Sequence, residues 1–312
     1  MITNEDISVV ISGPVISRIE NGKRINLTQM SCASVRDKLP GAEIVFSTWK
    51  EENCEKIDCD QLIQSIDPGS NKGNVNRQIC SRLAGIKAAT RKYVLALRSE
   101  SYIQSDDFKK YFGRYEAVGN AKLHYLKHRI VIPAAMPVRS REIFHMGDWY
   151  FFGEKEDLIK FWELPYMDDA KYSLGDDDIV YNPHRYLIVS FVQKFYPLHF
   201  KNKKDYSIDN EKVYEQVLAE NFVITGFYEF GCRSYKYPPE GNGKLYNRIF
   251  HYATSYTFRE WKKLYKSYCD NTCIVHPDVK EWTMIHTLVE MKILYGRLRT
   301  KLGKIRKNIW NQ

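Results

Sequence analysis

Long apolar runs, paired cysteines and internal repeats are all missing from this 312-residue chain, and each absence removes a class of protein. No stretch reaches 18 consecutive apolar residues, so no membrane-spanning helix is expected. Thr3 to Asp6 are polar and acidic, which is not the opening of a secretory leader. Seven cysteines at irregular spacing make no disulfide framework, and Cys54, Cys59, Cys269 and Cys273 lack the CxxC spacing of a zinc site. A reducing compartment is the expectation. Without repeats or a low-complexity linker, no solenoid and no clean domain boundary is expected.

Acidic residues are absent from one further place, Met291 to Gln312, which carries seven Lys or Arg residues and so accounts for seven of the formal +9. The body before it is therefore close to neutral. With no recognition motif either, this excludes nucleic-acid binding as the main task. What the chain does have is 44% hydrophobic and 14% aromatic residues, enough for a sizeable folded core.

Ile7 to Ser12 is a β-branched run that stops at Gly13-Pro14, the pattern of a buried strand and a turn. A loop holding Asn21-Gly22, Lys23 and Arg24 follows. A helix is expected over Thr28 to Leu39, ended by Pro40-Gly41. A second apolar strand is expected over Ala42 to Thr48 and a third over Leu62 to Ile66, stopping at Asp67-Pro68-Gly69. A helix capped by Asn74 or Asn76 then runs to Thr90, and Tyr93 to Leu97 is a fourth strand. This alternation predicts a doubly wound α/β sheet. Further strands are expected over Ile130 to Ala135, Phe144 to Phe152 and Asn221 to Tyr228, with helices over Glu154 to Trp162 and from Asp176 through Pro183 to Phe195.

Parallel strands place their polar exits along one sheet edge, where open α/β sheets bind ligands. Gly13, Pro14, Thr48, Trp49, Asp67, Arg98 and Glu100 are the exits. Asn76, Arg77 and Arg82 lie on the helix ahead of the fourth strand, whose small face of Ala84, Gly85 and Ala88 packs closely on the sheet. Arg77 is the better candidate of its cations for a diphosphate, because an arginine at a positive helix end calls for a nearby anion; Arg82 and Lys87 also read as a solvated face. Asp148 sits in the run from His145 to Gly153, an acid among aromatics, which suits a general base. Trp149, His184 and Arg185 are candidates for holding an acceptor. Asp176, Asp177 and Asp178 read better as a helix cap than as a metal site. In the tail, Leu294, Leu298, Leu302, Ile305 and Ile309 share a face among the cations, as in a helix lying on an anionic membrane surface.

Ile7-Ser-Val-Val-Ile-Ser-Gly-Pro14, Leu39-Pro-Gly-Ala-Glu-Ile-Val-Phe-Ser-Thr-Trp49, Asp67-Pro-Gly69, Asn76-Arg-Gln78, Leu95-Ala-Leu-Arg-Ser-Glu100 and Gly147-Asp-Trp-Tyr-Phe-Phe-Gly153, in that order, resemble the WavE-type lipopolysaccharide-synthesis proteins. The resemblance implies a GT-A-like, Rossmann-type mixed sheet flanked by helices, with a helical basic C-terminal appendage. It divides the chain into a nucleotide-sugar-binding and acceptor domain at 1–270 and a tail at 271–312. The implied activity is sugar transfer from a nucleotide-activated donor to a glycan or glycolipid acceptor, by a cytoplasmic protein peripheral on the inner face of the membrane. It carries donor binding onto Gly13, Pro14, Thr48, Trp49, Asp67, Asn76, Arg77, Arg98 and Glu100, and the acid-aromatic motif onto Asp148 and Trp149. Where the family tends to have Arg-Ser-Asp this chain has Arg98-Ser99-Glu100, one carboxylate short of an Asp-x-Asp motif. Mn2+ or Mg2+ held through Glu100 and a metal-free route using Arg77 and Arg98 both stay open. The alternatives are a nucleotidyltransferase on a similar sheet, which usually needs a Gly- and Lys-rich phosphate loop where this chain has Gly13-Pro14, and a noncatalytic membrane-associated partner of a glycan assembly complex.

Overall fold

Ile7–Ser12 (β1) is buried along its whole length, as a strand with neighbours on both edges and layers on both faces must be. It opens the computed structural model, which describes residues 2–134, 137–138, 143–168, 183–200, 208–226, 228–236, 256–276 and 291. The stretch expected to be a loop is a hairpin of Ser17–Glu20 (β2) and Lys23–Asn26 (β3). Its turn residues Asn21 and Gly22 have φ of 49° and 75°, the double positive φ that a two-residue hairpin turn demands. Helix α1, Leu27–Lys38, begins where the Asn26 side chain accepts from the Gln29 amide at 3.0 Å. The wholly buried Glu43–Trp49 (β4), then Gln61–Ser65 (β5), helix α2 over Val75–Ala88 and Tyr93–Arg98 (β6) complete the first half.

Beyond it lie Ser101–Ile103 (β7), Ile130–Pro133 (β8), Pro137–Val138 (β9), His145–Met146 (β10), Phe151–Glu154 (β11) and helix α3 over Lys155–Trp162. Pro183–Gln193 (α4), Ile208–Asn221 (α5), Phe222–Thr225 (β12), Cys232–Ser234 (β13) and Phe258–Tyr268 (α6) follow. The sequence reading did not place α5 or α6; both are held by tertiary contacts, with the Trp261 indole donating to the Leu218 carbonyl at 3.2 Å. The expected start of a helix at Asp176 and the basic tail over 292–312 lie outside the described residues.

Seven strands form one sheet in the order β5-β4-β1-β6-β11-β8-β12, parallel throughout except β11. The chain is thus mixed α/β with a mainly parallel central sheet flanked by helices. From β1 it winds outward to β4 and β5, then returns through α2 to place β6 on the other side of β1. That reversal is a topological switch point, and it lies between β1 and β6.

One expected strand is broken. Phe144 to Phe152 does not run straight, because Phe144 takes a φ of 56°. Its continuation His145–Met146 then pairs with Pro137–Val138 instead of the main sheet. Residues 147–150 cross back before β11 enters beside β6. Asp148 therefore sits in a connection, not in a strand.

The edge of the sheet opposite the strand exits is knitted by one carboxylate. Glu43, only 8% exposed, accepts from the Ser8 hydroxyl, the Gln61 amide at 2.6 Å, and the Thr90 amide and hydroxyl, each at 2.9 Å. Burial works to raise its pKa, but these donors together outweigh it and hold the carboxyl below its ordinary value. A glutamine offers one acceptor oxygen in place of two and would orphan part of this set. Glu43→Gln should therefore cost about 1–3 kcal/mol at pH 7. A depressed carboxyl stabilises above its ordinary pKa of about 4.3 and loses that contribution as pH falls through the folded value. Urea unfolding of both proteins should show the gap closing toward pH 3; a constant gap would mean that charge plays no part.

Candidate functional site

The strand exits expected to gather do gather. Around the carboxyl ends of β1, β4, β5 and β6 lies a cleft of about 570 Å³, lined by Gly13, Pro14, Trp49, Asp67, Arg77, Arg98, Glu100, Asp148 and His184 among others. Backbone bonds fix its floor: the Gly13 amide donates to the Ser47 carbonyl at 3.0 Å, and the Ser99 amide to the Ser12 carbonyl at 3.1 Å. Gly13 has a φ of +125°, and a Cβ there would lie 3.1 Å from the Ser99 hydroxyl oxygen. The sharp exit of β1 is consequently restricted to glycine.

Each cation along the cleft already has a partner. Arg77 turns its fork to Asp67, with Nε 2.8 and 3.1 Å from the two carboxylate oxygens. The hydrogen bonds from Arg77 hold the Asp67 carboxyl below its usual range. The anion that the helix-start arginine calls for is Asp67, so Arg77 is not the ready diphosphate cation expected from its position.

Arg82 departs further from expectation. Far from lying on a solvated face, it is 2% exposed and lines the cleft from beneath. It is directed inward because α2 meets the sheet through Gly85, whose missing side chain would otherwise come within 2.5 Å of Val10 Cγ1. Residues three apart on a helix share a side. Gly85 was therefore the readable signal that Arg82 faces in.

On the other wall, Arg98 Nε lies 2.8 Å from Glu100 Oε1 and Arg98 Nη1 lies 3.5 Å from Asp148 Oδ2. Asp148 is 1% exposed and its Oδ1 makes no hydrogen bond; His184 Nδ1 lies 3.9 Å from that oxygen. A buried carboxylate with an unsatisfied oxygen, in the lining of a cleft, suits proton transfer with a hydroxyl bound there.

Five carboxylates line the cleft, those of Glu51, Glu52, Asp67, Glu100 and Asp148, against the guanidinium groups of Arg77, Arg82 and Arg98. A phosphate-bearing ligand therefore meets no excess of positive charge, and its binding depends on local contacts with Arg98 or on a cation that arrives with it. Arg98 Nε lies on Glu100 Oε1, and among the described residues no group of three or more His, Cys, Asp or Glu side chains converges.

Four candidates fall outside the lining. Thr48 is fully buried in β4. Asn76 holds both backbone groups of Met167, donating to its carbonyl at 2.9 Å and accepting from its amide at 2.7 Å. It is not the cap of α2 either; its own amide donates to the Asn71 side chain at 3.1 Å. Trp149 is half-buried and packs edge-on to Tyr150. Arg185 is buried with its guanidinium 5.1 Å from the Phe200 ring, which corrects its assignment to the acceptor. Ser12, Ser81 and Ser99 line the cleft; Ser99 belongs to the polar exit of the fourth strand, while Ser12 and Ser81 were not singled out, since a serine at a strand end or on a helix carries no distinctive signal.

A switch-point cleft of this size, with a buried carboxylate on one wall and arginines below, defines an α/β protein built to hold a small polar ligand. More particularly, the chain belongs to the WavE lipopolysaccharide synthesis family, whose match spans residues 7–293. Membership supports a role in lipopolysaccharide synthesis. Among curated proteins nothing matches the sequence.

Solved structures to which the chain is similar include a 4-diphosphocytidyl-2C-methyl-D-erythritol synthase from Anaerococcus prevotii DSM 20548, at 15% identity over 53% of this chain and 81% of that one, TM-score 0.31. A cytidylyltransferase from Leptospira borgpetersenii serovar Hardjo-bovis is 13% identical over 69% of this chain and 85% of its own, TM-score 0.33. HddC from Yersinia pseudotuberculosis is 11% identical over 51% and 80%, TM-score 0.29. Likenesses this weak carry no argument about chemistry. None of the described helices is long and apolar enough to cross a membrane.

Proposed function

We propose that this chain is a glycosyltransferase with a GT-A style sheet, taking a nucleotide-activated sugar into the switch-point cleft and passing the sugar to a glycan or glycolipid acceptor. The observation that carries the reading is Asp148, a carboxylate 1% exposed in the lining of the cleft, in a family of lipopolysaccharide synthesis. The parallel half of the sheet, with its crevice between β1 and β6, supports a nucleotide site. The antiparallel β11, entered directly from the Asp148 connection, brings the second half of the chain against it.

In this reading the acceptor hydroxyl gives its proton to the Asp148 carboxylate as its oxygen attacks the anomeric carbon from the side opposite the leaving phosphate. The bond from that carbon to the donor phosphate breaks, the centre inverts, and the released phosphate charge falls to Arg98. A hydrogen-bond donor aimed at developing charge in a partly dry site is where most rate enhancement arises.

Thermal-shift screening of the full chain against nucleotide sugars, nucleoside diphosphates and nucleoside triphosphates, with and without Mn2+, tests this. Ligand at 100 times its Kd stabilises by about 2.7 kcal/mol, so a nucleotide sugar should raise Tm by a few degrees and then be consumed in the presence of lipopolysaccharide-derived acceptors. Stabilisation by a triphosphate alone, with turnover of a sugar phosphate, would instead identify a nucleotidyltransferase. No response to any nucleotide would leave a noncatalytic partner.

A further inference from the structure

Arg82 stands at the meeting point of four elements. Its Nε donates to the Ser12 hydroxyl at 3.1 Å and its Nη1 to the Asp148 carbonyl at 2.8 Å. Ser12 in turn donates to the Leu97 carbonyl at 3.2 Å. One guanidinium on α2 thereby ties the ends of β1 and β6 to the connection that carries Asp148. Its flat face lies 4.9 Å from the Trp162 ring, with Phe151 at 5.9 Å, which pins the plane of the fork.

Burying a guanidinium costs several kcal/mol unless it is matched, and an apolar side chain of similar volume usually fills such a slot at lower cost. Burial lowers the Arg82 pKa to about 10, with the charge of Asp148 opposing the fall, so the group stays cationic near neutral pH. The bonds it makes end on the peptide of Asp148. Ser12 and Asp148 both line the cleft, so the cost is met at the site and not in a remote part of the core.

We infer that Arg82 is a positioning residue: it fixes the Asp148 peptide against the sheet, and so sets where the carboxylate stands in the cleft. This rests on the reading of Asp148 as the base. Among the described residues, the groups facing Asp148 are Arg98 from the end of β6, with Glu100 behind it, His184 from α4, whose ring packs 5.0 Å from that of His145, and Arg82 from α2.

The experiment compares Arg82→Met and Arg82→Lys with the parent, using the donor found by screening. Misplacing a catalytic group by about 1 Å costs about 10²-fold. Arg82→Met should lower kcat by about that factor while the donor KM stays within about threefold. Taking a cation from beside a carboxylate favours its protonated form, so the acid limb of the kcat–pH profile should move to higher pH. Arg82→Lys, which keeps the charge without the fork, should restore the limb more than the rate. In an Asp148→Asn background Arg82→Met should add less than threefold.

Losses that multiply in the double variant, with an unmoved acid limb, would overturn the inference and leave Arg82 a packing residue. Should the parent transfer no sugar from any donor, the base assignment falls on its own. Amide hydrogen exchange then tests Arg82 without turnover: exchange should quicken over residues 143–150 in Arg82→Met with β1 unchanged, and equal protection there would refute positioning.

Discussion

Asp148→Asn should reduce kcat by about 10³-fold and leave donor affinity within a few fold. General-base contributions lie between about 10² and 10⁴, and the burial of Asp148 argues for the middle of that range, since little water reaches its carboxylate to stand in for it. Asparagine matches the side chain in shape and keeps an oxygen, but cannot accept a proton. The fold should tolerate the change. The Arg98 contact is long at 3.5 Å, and Arg98 keeps its shorter 2.8 Å bond to Glu100. The Arg82 bond runs to the backbone carbonyl, which the substitution preserves. Removing this charge leaves the buried Arg82 guanidinium without its carboxylate counter-charge, so some thermal stability should be lost. Steady-state kinetics and donor titration on one preparation decide the matter. Turnover within a few fold of the parent would remove Asp148 from the chemistry, and a parallel loss of donor affinity would move it to binding.

The first half of the fold was legible because its strands are continuous apolar runs, the pattern that double burial imposes. Ile7 to Ser12 matches the observed strand residue for residue, and the exits of β1, β4, β5 and β6 converge as their polar ends imply. Geometry that depends on a single dihedral was not legible. The positive φ of Phe144 breaks an aromatic run that reads as one strand, and Asp148, in the connection that follows, lines the cleft. Pairings across long sequence separations were equally hidden: Arg77 reads as a cation awaiting an anion until Asp67 is seen in its fork, and Asn76 as a cap until Met167 is seen on its amide. Glu100 was half legible. The sequence shows one carboxylate where a metal motif would have two, and the structure shows that carboxylate held by Arg98.

Gly85→Ala should lower Tm by several degrees, against the ordinary expectation for a helix interior, and Gly85→Val should prevent accumulation of folded protein. Alanine is favoured over glycine in a helix by about 1 kcal/mol, so on an open face the change would stabilise. Here a Cβ would lie 2.5 Å from Val10 Cγ1 and 2.9 Å from Ser47 Cβ. Both belong to central strands, and the Ser47 hydroxyl holds the Ser81 carbonyl of α2 at 2.6 Å. Neither strand can retreat, so the helix must. Overpacking of this kind costs about 1–3 kcal/mol for each small increment, enough to exceed the propensity gain for alanine and to exceed it further for the branched valine. The displaced helix presents Gln78 and Ser81 to the cleft, so the alanine variant should also lose donor affinity, without any change to a residue that lines the cleft. Calorimetry and donor titration on Gly85→Ala separate the outcomes. A raised Tm with unaltered affinity would show that α2 has room to spare, and that the close approach of helix to sheet is not what directs Arg82 inward.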